Sequence, residues 1–297
     1  MDYNISFIKE LVEKGGPDKQ DYYNLDAWIT EIYYNFQQGE FSETYLDSLR
    51  DTFGDAISHE TMQGFAYHKP HGYAGDYEII DRIYTKNISK NDHLKNWDLF
   101  FHSHLAPQAV RNRIEYSENC LKNYLINRKE EIQVLNLASG PCKDIKNLLD
   151  KYLESPILFD CVEQDKNAIN FGSNLCNDYL KKINFIEQNA LKFKTNKLYN
   201  LIWSAGLFDY FNDKIFIFML KRLSKIVQNN GELVIGNFST NNPSRYYMEL
   251  MKWNLYHRSP TKLVFLAKKA GFSEKNITIR KEATGVNLFL HIKVFNQ

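Results

Sequence analysis

Apolar residues in the middle of this chain fall into short runs separated by stretches of mixed polarity. Val134-Leu135-Asn136-Leu137 runs into the turn Ser139-Gly140-Pro141, and Asp144-Ile145 then opens a helical pattern. Ile157 to Glu163 is a second run, Ile183 to Ala190 a third, and Tyr199 to Ser204 a fourth that opens into a loop ending at Tyr210. A helix over Leu220–Gln228 and a fifth run over Gly231–Asn237 complete the series. Near-continuous apolar runs of strand length read as buried parallel strands, because helices cover both faces of a parallel sheet. Regular alternation of strand and helix predicts an α/β, Rossmann-like fold with right-handed crossovers. Ligands of such sheets bind beyond the carboxyl ends of the strands. Gly140, Glu163, Asn189 and the loop Ser204–Tyr210 all fall at those ends.

Residues 1–130 follow a helical period instead. Ile5–Lys14 is amphipathic and is stopped by Gly15-Gly16-Pro17, and Leu25–Gln37, Phe41–Phe53, Trp97–Leu105 and Pro107–Asn127 continue the pattern. Asp76 reads as the N-cap of a further helix carrying Ile79, Ile80 and Ile83. The expected organisation is therefore an N-terminal helical cap over 1–130, serving as lid and substrate region, and a sheet domain over 131–297.

Composition narrows the class. With 37 basic and 36 acidic side chains the net charge is +1, so no electrostatic footprint for nucleic acid is expected. There is no apolar run of roughly 18 residues to span a membrane. The opening Met1-Asp2-Tyr3-Asn4 lacks the basic and apolar segments of a secretory signal. Cys120, Cys142, Cys161 and Cys176 show no C-x-x-C spacing, so reduced thiols are expected, without disulfides and without zinc. These features predict a cytoplasmic protein; the oligomeric state is not legible from them.

The turn after the first strand selects the ligand. Gly140 gives a backbone that approaches a ligand closely. Glu163 follows at roughly the 20-residue spacing of an acid that holds a ribose. A dinucleotide fingerprint needs three glycines, and Ala138 and Lys143 stand where the others would be. A nucleoside without a pyrophosphate fits better. Asn189 is placed to accept from an adenine amino group. The pattern resembles motif I of class I S-adenosylmethionine (SAM) methyltransferases, with Asn136 in place of the usual Asp and Ala138 in place of the usual Gly. That resemblance implies SAM as co-substrate, held by Ser139, Gly140, Glu163, Gln164, Asn189, Ala190, Ser204, Ala205 and Gly206.

A second segment, His68-Lys69-Pro70-His71-Gly72-Tyr73-Ala74-Gly75-Asp76-Tyr77-Glu78-Ile79-Ile80-Asp81, resembles the K-P-x-G-Y-A-G-D signature of a bacterial SAM-dependent family. That family includes the extracellular-factor synthases, which methylate the carboxyl of a 3-hydroxy fatty acid. The resemblance extends through Ala109–Arg113, the Ser204–Tyr210 loop, Asn242-Pro243-Ser244-Arg245 and Trp253, over about residues 60–297. It implies a small-molecule acceptor, a hydrophobic carboxylic acid.

A carboxylate is anionic at neutral pH and needs no general base, only desolvation and aim. Arg245 and Arg258 are the candidates for holding it by bidentate geometry. Arg113, Arg111, or Tyr73 through its hydroxyl, is expected to meet the methionine carboxylate of SAM. Tyr210 and Tyr77 are candidates to face the sulfonium, since an aromatic face attracts a cation. His257 is a candidate base for a hydroxyl or amine acceptor, and the pairs His68/His71 and His102/His104 do not make a metal site. Two alternatives stand beside methyl transfer. One is non-methyl chemistry, such as ring closure within SAM with release of methylthioadenosine; the other is a SAM-binding protein without catalysis.

Overall fold

The computed structural model describes residues 2–126 and 130–295. Helices α1 (Tyr3–Glu13), α2 (Tyr22–Gln37), α3 (Glu43–Thr52), α4 (Met62–His68), α5 (Tyr77–Thr85), α6 (Asp92–Ser103) and α7 (Leu105–Ile126) come first. The alternating region follows as β1 (Ile132–Leu137), α8 (Lys143–Lys151), β2 (Ile157–Glu163), α9 (Lys166–Leu175), β3 (Ile183–Glu187), β4 (Tyr199–Ser204), α10 (Asp213–Ser224) and β5 (Val227–Phe238). The chain ends with α11 (Arg245–Leu250), α12 (Pro260–Lys269), β6 (Ile277–Lys281) and β7 (Asn287–Val294). It divides into two compact units, Met1–Gln108 with Pro243–Asn254, and Ala109–Asn242 with Leu255–Gln297.

The first unit is helical. Its starts are capped where the sequence offers a short polar side chain: Asp2, Ser42, Thr61, Asp76 and Asn91 each accept from a backbone N–H of the first turn. Asp76 performs the expected role, taking Glu78 N at 3.0 Å and Ile79 N at 2.9 Å. Ile8, Leu25, Trp28, Ile32, Leu49, Phe53, Trp97 and Phe100 are buried in its core. The short helix α11 belongs to this unit and is tied in by the buried Arg50, whose Nε donates to Leu250 O at 2.7 Å while Nη1 meets Glu43 and Asp47.

The expected boundary after residue 130 falls elsewhere. Ala109 onwards already belongs with the sheet, so most of α7 does too, and Pro243–Asn254 returns to the helical unit. The return was illegible because Tyr247, Met248, Leu250, Met251 and Trp253 are as apolar as any sheet-covering helix. The predicted helix end at Asn127 lies outside the described residues.

The second unit is built on a seven-stranded sheet of order β3-β2-β1-β4-β5-β7-β6. The pairs from β3 through β5 are parallel, as the alternation predicts, and β7 enters antiparallel between β5 and β6. Successive strand residues point to opposite faces. Leu135, Leu137, Ile202, Leu233 and Ile235 therefore pack into one apolar cluster, while Val134, Leu201, Trp203, Val234 and Phe289 pack into another.

One element is corrected. The helix expected over Leu220–Gln228 is Asp213–Ser224, and Val227 and Gln228 already belong to β5. Asn212 caps its start, accepting from Ile215 N at 3.1 Å, and Phe216, Met219, Leu220 and Leu223 form its buried stripe. The apolar period starts four residues earlier than Leu220, at Phe216, and the cap sets the frame.

Candidate active site

The carboxyl ends of β1 and β2 meet as the sequence predicts. After β1 the chain passes through left-handed conformations at Ala138 (φ 56°), Gly140 (φ 54°) and Cys142 (φ 56°). Two of these are non-glycine residues, a strained arrangement that concentrates at ligand-binding turns. Gly140 N donates to Glu163 Oε2 at 3.0 Å, and Gln164 N and Asp165 N donate to Oε1 at 2.8 and 3.1 Å. Three backbone donors thus fix a buried carboxylate beside the turn. A side chain at Gly140 would meet nothing within 4 Å, so the turn faces open space. Ser139 Oγ is buried beside it without a hydrogen-bond partner.

At the end of β3, Asn189 Nδ2 donates to Gln164 Oε1 at 2.6 Å, which brings two predicted residues together. The Asn189 side-chain oxygen, expected to face an adenine amino group, takes Leu191 N at 2.9 Å. Ala190 is half-buried against the apolar cluster. Ser204 is fully buried and its Oγ donates to Leu137 O at 2.9 Å, stitching β4 to β1. Ala205 lies flat on β5: a Cβ at Gly236 would fall 2.3 Å from its carbonyl oxygen. Gly206 makes room for Arg113, whose Nη1 would sit 2.9 Å from a Cβ there.

Arg113 is 6% exposed, lies over the Phe238 ring at 5.2 Å, and its Nε has no hydrogen-bond partner. Its guanidinium forms no ion pair among the described residues. Leaving a desolvated cation with an unpaired N–H is costly, and an anion beside it would lower that cost.

Sequence reasoning missed Asp209, which lies within the loop it had singled out. Asp209 is 1% exposed; its Oδ1 accepts Phe238 N at 2.6 Å and Asn237 Nδ2 at 2.9 Å. Burial pushes its carboxyl up to about 7, against the opposing pull of Arg113, the Phe238 N–H and Arg258. Asp144, in the first turn of α8, is likewise raised by burial to about 6, and its Oδ1 accepts Ile145 N at 2.9 Å.

The expectation that Arg258 grips an acceptor is corrected. Its guanidinium is buried and spent on Asn237 Oδ1 at 2.7 Å, Phe208 O at 3.2 Å, Phe211 O, and Asp213 at 3.2 Å. It is the lock of the β5 exit. Tyr210 closes the predicted loop and is 37% exposed. His257 Nε2 pairs with Asn242 Nδ2 at 3.1 Å and Nδ1 with Leu255 O at 3.2 Å, so both ring nitrogens are engaged. Arg111 lies on α7, its guanidinium pKa lowered by burial.

Tyr73 and Arg245 belong to the helical unit. Tyr73 sits in the loop between α4 and α5, flanked by left-handed Gly72 (φ 83°) and Gly75 (φ 69°). Arg245 opens α11, and its Nε donates to the buried Glu249 at 2.7 Å. Among the described residues no group of three or more His, Cys, Asp or Glu side chains could hold a metal ion, and the four cysteines are free thiols. No helix among them is long and apolar enough to cross a membrane.

No protein-family model matches this sequence, and no curated protein matches it. Solved structures do. A possible exported protein from Bordetella parapertussis is similar over 99% of this chain and 96% of its own, with TM-score 0.67 at 16% identity. The SAM-dependent methyltransferase SibL, in its apo form, matches 90% of this chain and 78% of its own, with TM-score 0.54 and 8% identity. Magnesium protoporphyrin IX methyltransferase (ChlM) from Synechocystis PCC 6803, with bound S-adenosylhomocysteine, matches 64% of this chain and 86% of its own at TM-score 0.50 and 10% identity. The chain has the Rossmann-like α/β fold of class I SAM-dependent methyltransferases.

Proposed function

We propose that this protein is a SAM-dependent methyltransferase acting on a small molecule. The observation that carries the reading is Arg113, a buried guanidinium with an orphaned Nε at the carboxyl edge of the sheet. The methionine carboxylate of SAM would satisfy it. At the other end of the same edge, Glu163 presents a fixed carboxylate for the ribose hydroxyls, and the open face of Gly140 leaves room for the nucleoside. Gln164, Asn189 and Ala190 border the adenine in this reading. Ser139, Ser204, Ala205 and Gly206 shape the floor under the sulfur, and Tyr210 attends the sulfonium.

SAM supplies an already activated methyl group, so these residues have only to bind it, aim it and exclude water. We assign the acceptor to the hydrophobic carboxylic acids, on the G-Y-A-G-D resemblance. An acceptor carboxylate attacks the methyl carbon, the C–O bond forms as the C–S bond breaks, and S-adenosylhomocysteine leaves. No proton moves. With Arg258 spent, Arg245 is the arginine we assign to that carboxylate; its side chain is 40% exposed and only Nε is given to Glu249. Free, largely buried thiols fit a reducing compartment, so we place the reaction in the cytoplasm.

Incubation of the protein with SAM and a cell extract, read by mass spectrometry, tests this. S-adenosylhomocysteine together with a methyl ester is the expected result. Methylthioadenosine would move the chemistry to alkyl transfer or ring closure, and unconsumed SAM would leave a binding protein.

A further inference from the structure

We propose that Asp209 is a positioning residue for the Arg113 anion site: its carboxylate and that of the bound ligand compete for the Arg113 guanidinium, and ligand binding takes a proton from solvent onto Asp209. The inference rests on the reading of this crevice as a SAM site.

Asp209 and Arg113 share two segments, the end of β5 at Phe238 and the loop that runs from Gly206 to Asp209. Phe238 gives its N–H to Asp209 at 2.6 Å and its ring to Arg113 at 5.2 Å. Gly206, three residues before Asp209, clears the space that the guanidinium fills. The backbone of Asp209 is fixed as well, its carbonyl accepting Tyr256 N at 2.7 Å. Neither partner can swing away to solvent, so their charges remain within reach of one another.

The surrounding charges leave few other pairings. Arg113 faces Asp209 from α7, and Arg258 from the segment after Leu255. Arg258 is already matched by Asp213 at 3.2 Å, and Asp213 also meets Lys262 from α12 at 2.6 Å. Asn237, between Asp209 and Arg258, is neutral and bonds both, at 2.9 and 2.7 Å. The Tyr256 ring lies 5.5 Å from Arg258. Among the described residues Asp209 is the acid on which Arg113 acts, and a ligand can bring it a second anion.

Arg113 is also the strongest influence that keeps Asp209 ionised against its burial, with the balance close to neutrality. A ligand carboxylate on Arg113 withdraws that support in a site that binding makes drier still. The proton then goes onto Asp209, and the cluster keeps one anion for Arg113 in both states. A purely structural Asp209 would not exchange a proton with ligand binding.

Calorimetric titration of SAM into the protein, repeated in buffers of different ionisation enthalpy between pH 6 and 8.5, counts the protons. The expected result is net uptake near pH 7.5 and a Kd that weakens about tenfold across the range, one pKa unit of coupling being a factor of ten. D209N keeps the oxygen that Phe238 and Asn237 use; it should show no such uptake, a flattened profile and a Kd near that of the low-pH wild type. The same comparison subtracts the titration of SAM's own ammonium. No uptake by the wild type would overturn the inference, as would a D209N protein that retains the wild-type uptake and slope. The wild-type count decides alone if D209N does not fold. Failure of the wild type to bind SAM at any pH would overturn the SAM reading itself, and this inference with it.

Discussion

Residue type alone made Arg113, Arg245 and Arg258 equal candidates, and their surroundings separate them. Arg258 has five partners and Arg113 has an orphaned nitrogen, yet both are buried. Removing Arg258 strands Asn237 and two backbone carbonyls, so R258A should lose about 3–5 kcal/mol of stability in urea titration. R113A should fold nearly as well as the wild type and bind SAM roughly 30- to 100-fold more weakly, the worth of a charged hydrogen bond of about 2–3 kcal/mol. Equal loss of stability in both variants would refute the distinction. Glu163 was legible because a strand end and a spacing identify it. Asp209 was not, because its burial is produced by β5 and the segment after Leu255, which no local pattern joins to it.

The elements that reach the crevice were the most legible part of the chain, since buried parallel strands leave continuous apolar runs. Helix α10 was displaced because the cap at Asn212 went unread, and β6 and β7 were not anticipated beyond the fifth strand. Two glycine positions test how the turns are set. Gly236 has the Ala205 carbonyl where a Cβ would go, at 2.3 Å. G236A should therefore lose about 1–3 kcal/mol and weaken SAM binding by displacing the Ala205-Gly206 strand end. Ala138 holds φ 56°, a conformation that is costly for a side chain and free for glycine. A138G should add about 0.5–1 kcal/mol of stability after the entropy of glycine is subtracted, read as a higher unfolding midpoint; a lower midpoint would show that the turn is not strained there.

At the scale of the whole molecule, one part-buried and one buried carboxyl pull stability in opposite directions with pH. Burial would raise Glu232, but His291 at 2.8 Å and Lys293 at 3.2 Å outweigh it and take its carboxyl down to about 2. A depressed acid stabilises above its unfolded pKa, and that contribution is lost as pH falls from about 4 through 2. E232Q should therefore be destabilised at pH 7 and much less so at pH 3. Asp209 has the reverse sign. Its folded value is raised to about 7, so its ionisation opposes folding, and stability is lost as pH rises from about 4 through 7. D209N should gain on the wild type at pH 8 relative to pH 5, in chemical denaturation. The segment Pro243–Asn254, which follows β5 in the chain, groups with the helical unit, a non-contiguous membership that no local pattern reveals.

The claim beneath all of this is that the carboxyl edge of the sheet is a SAM crevice. A crystal structure of the protein grown with saturating SAM tests it most directly. Ribose hydroxyls are expected on the Glu163 carboxylate, the methionine carboxylate on Arg113, and the nucleoside over the open face of Gly140. An empty crevice at saturating SAM, or a ligand that touches neither Glu163 nor Arg113, would contradict it.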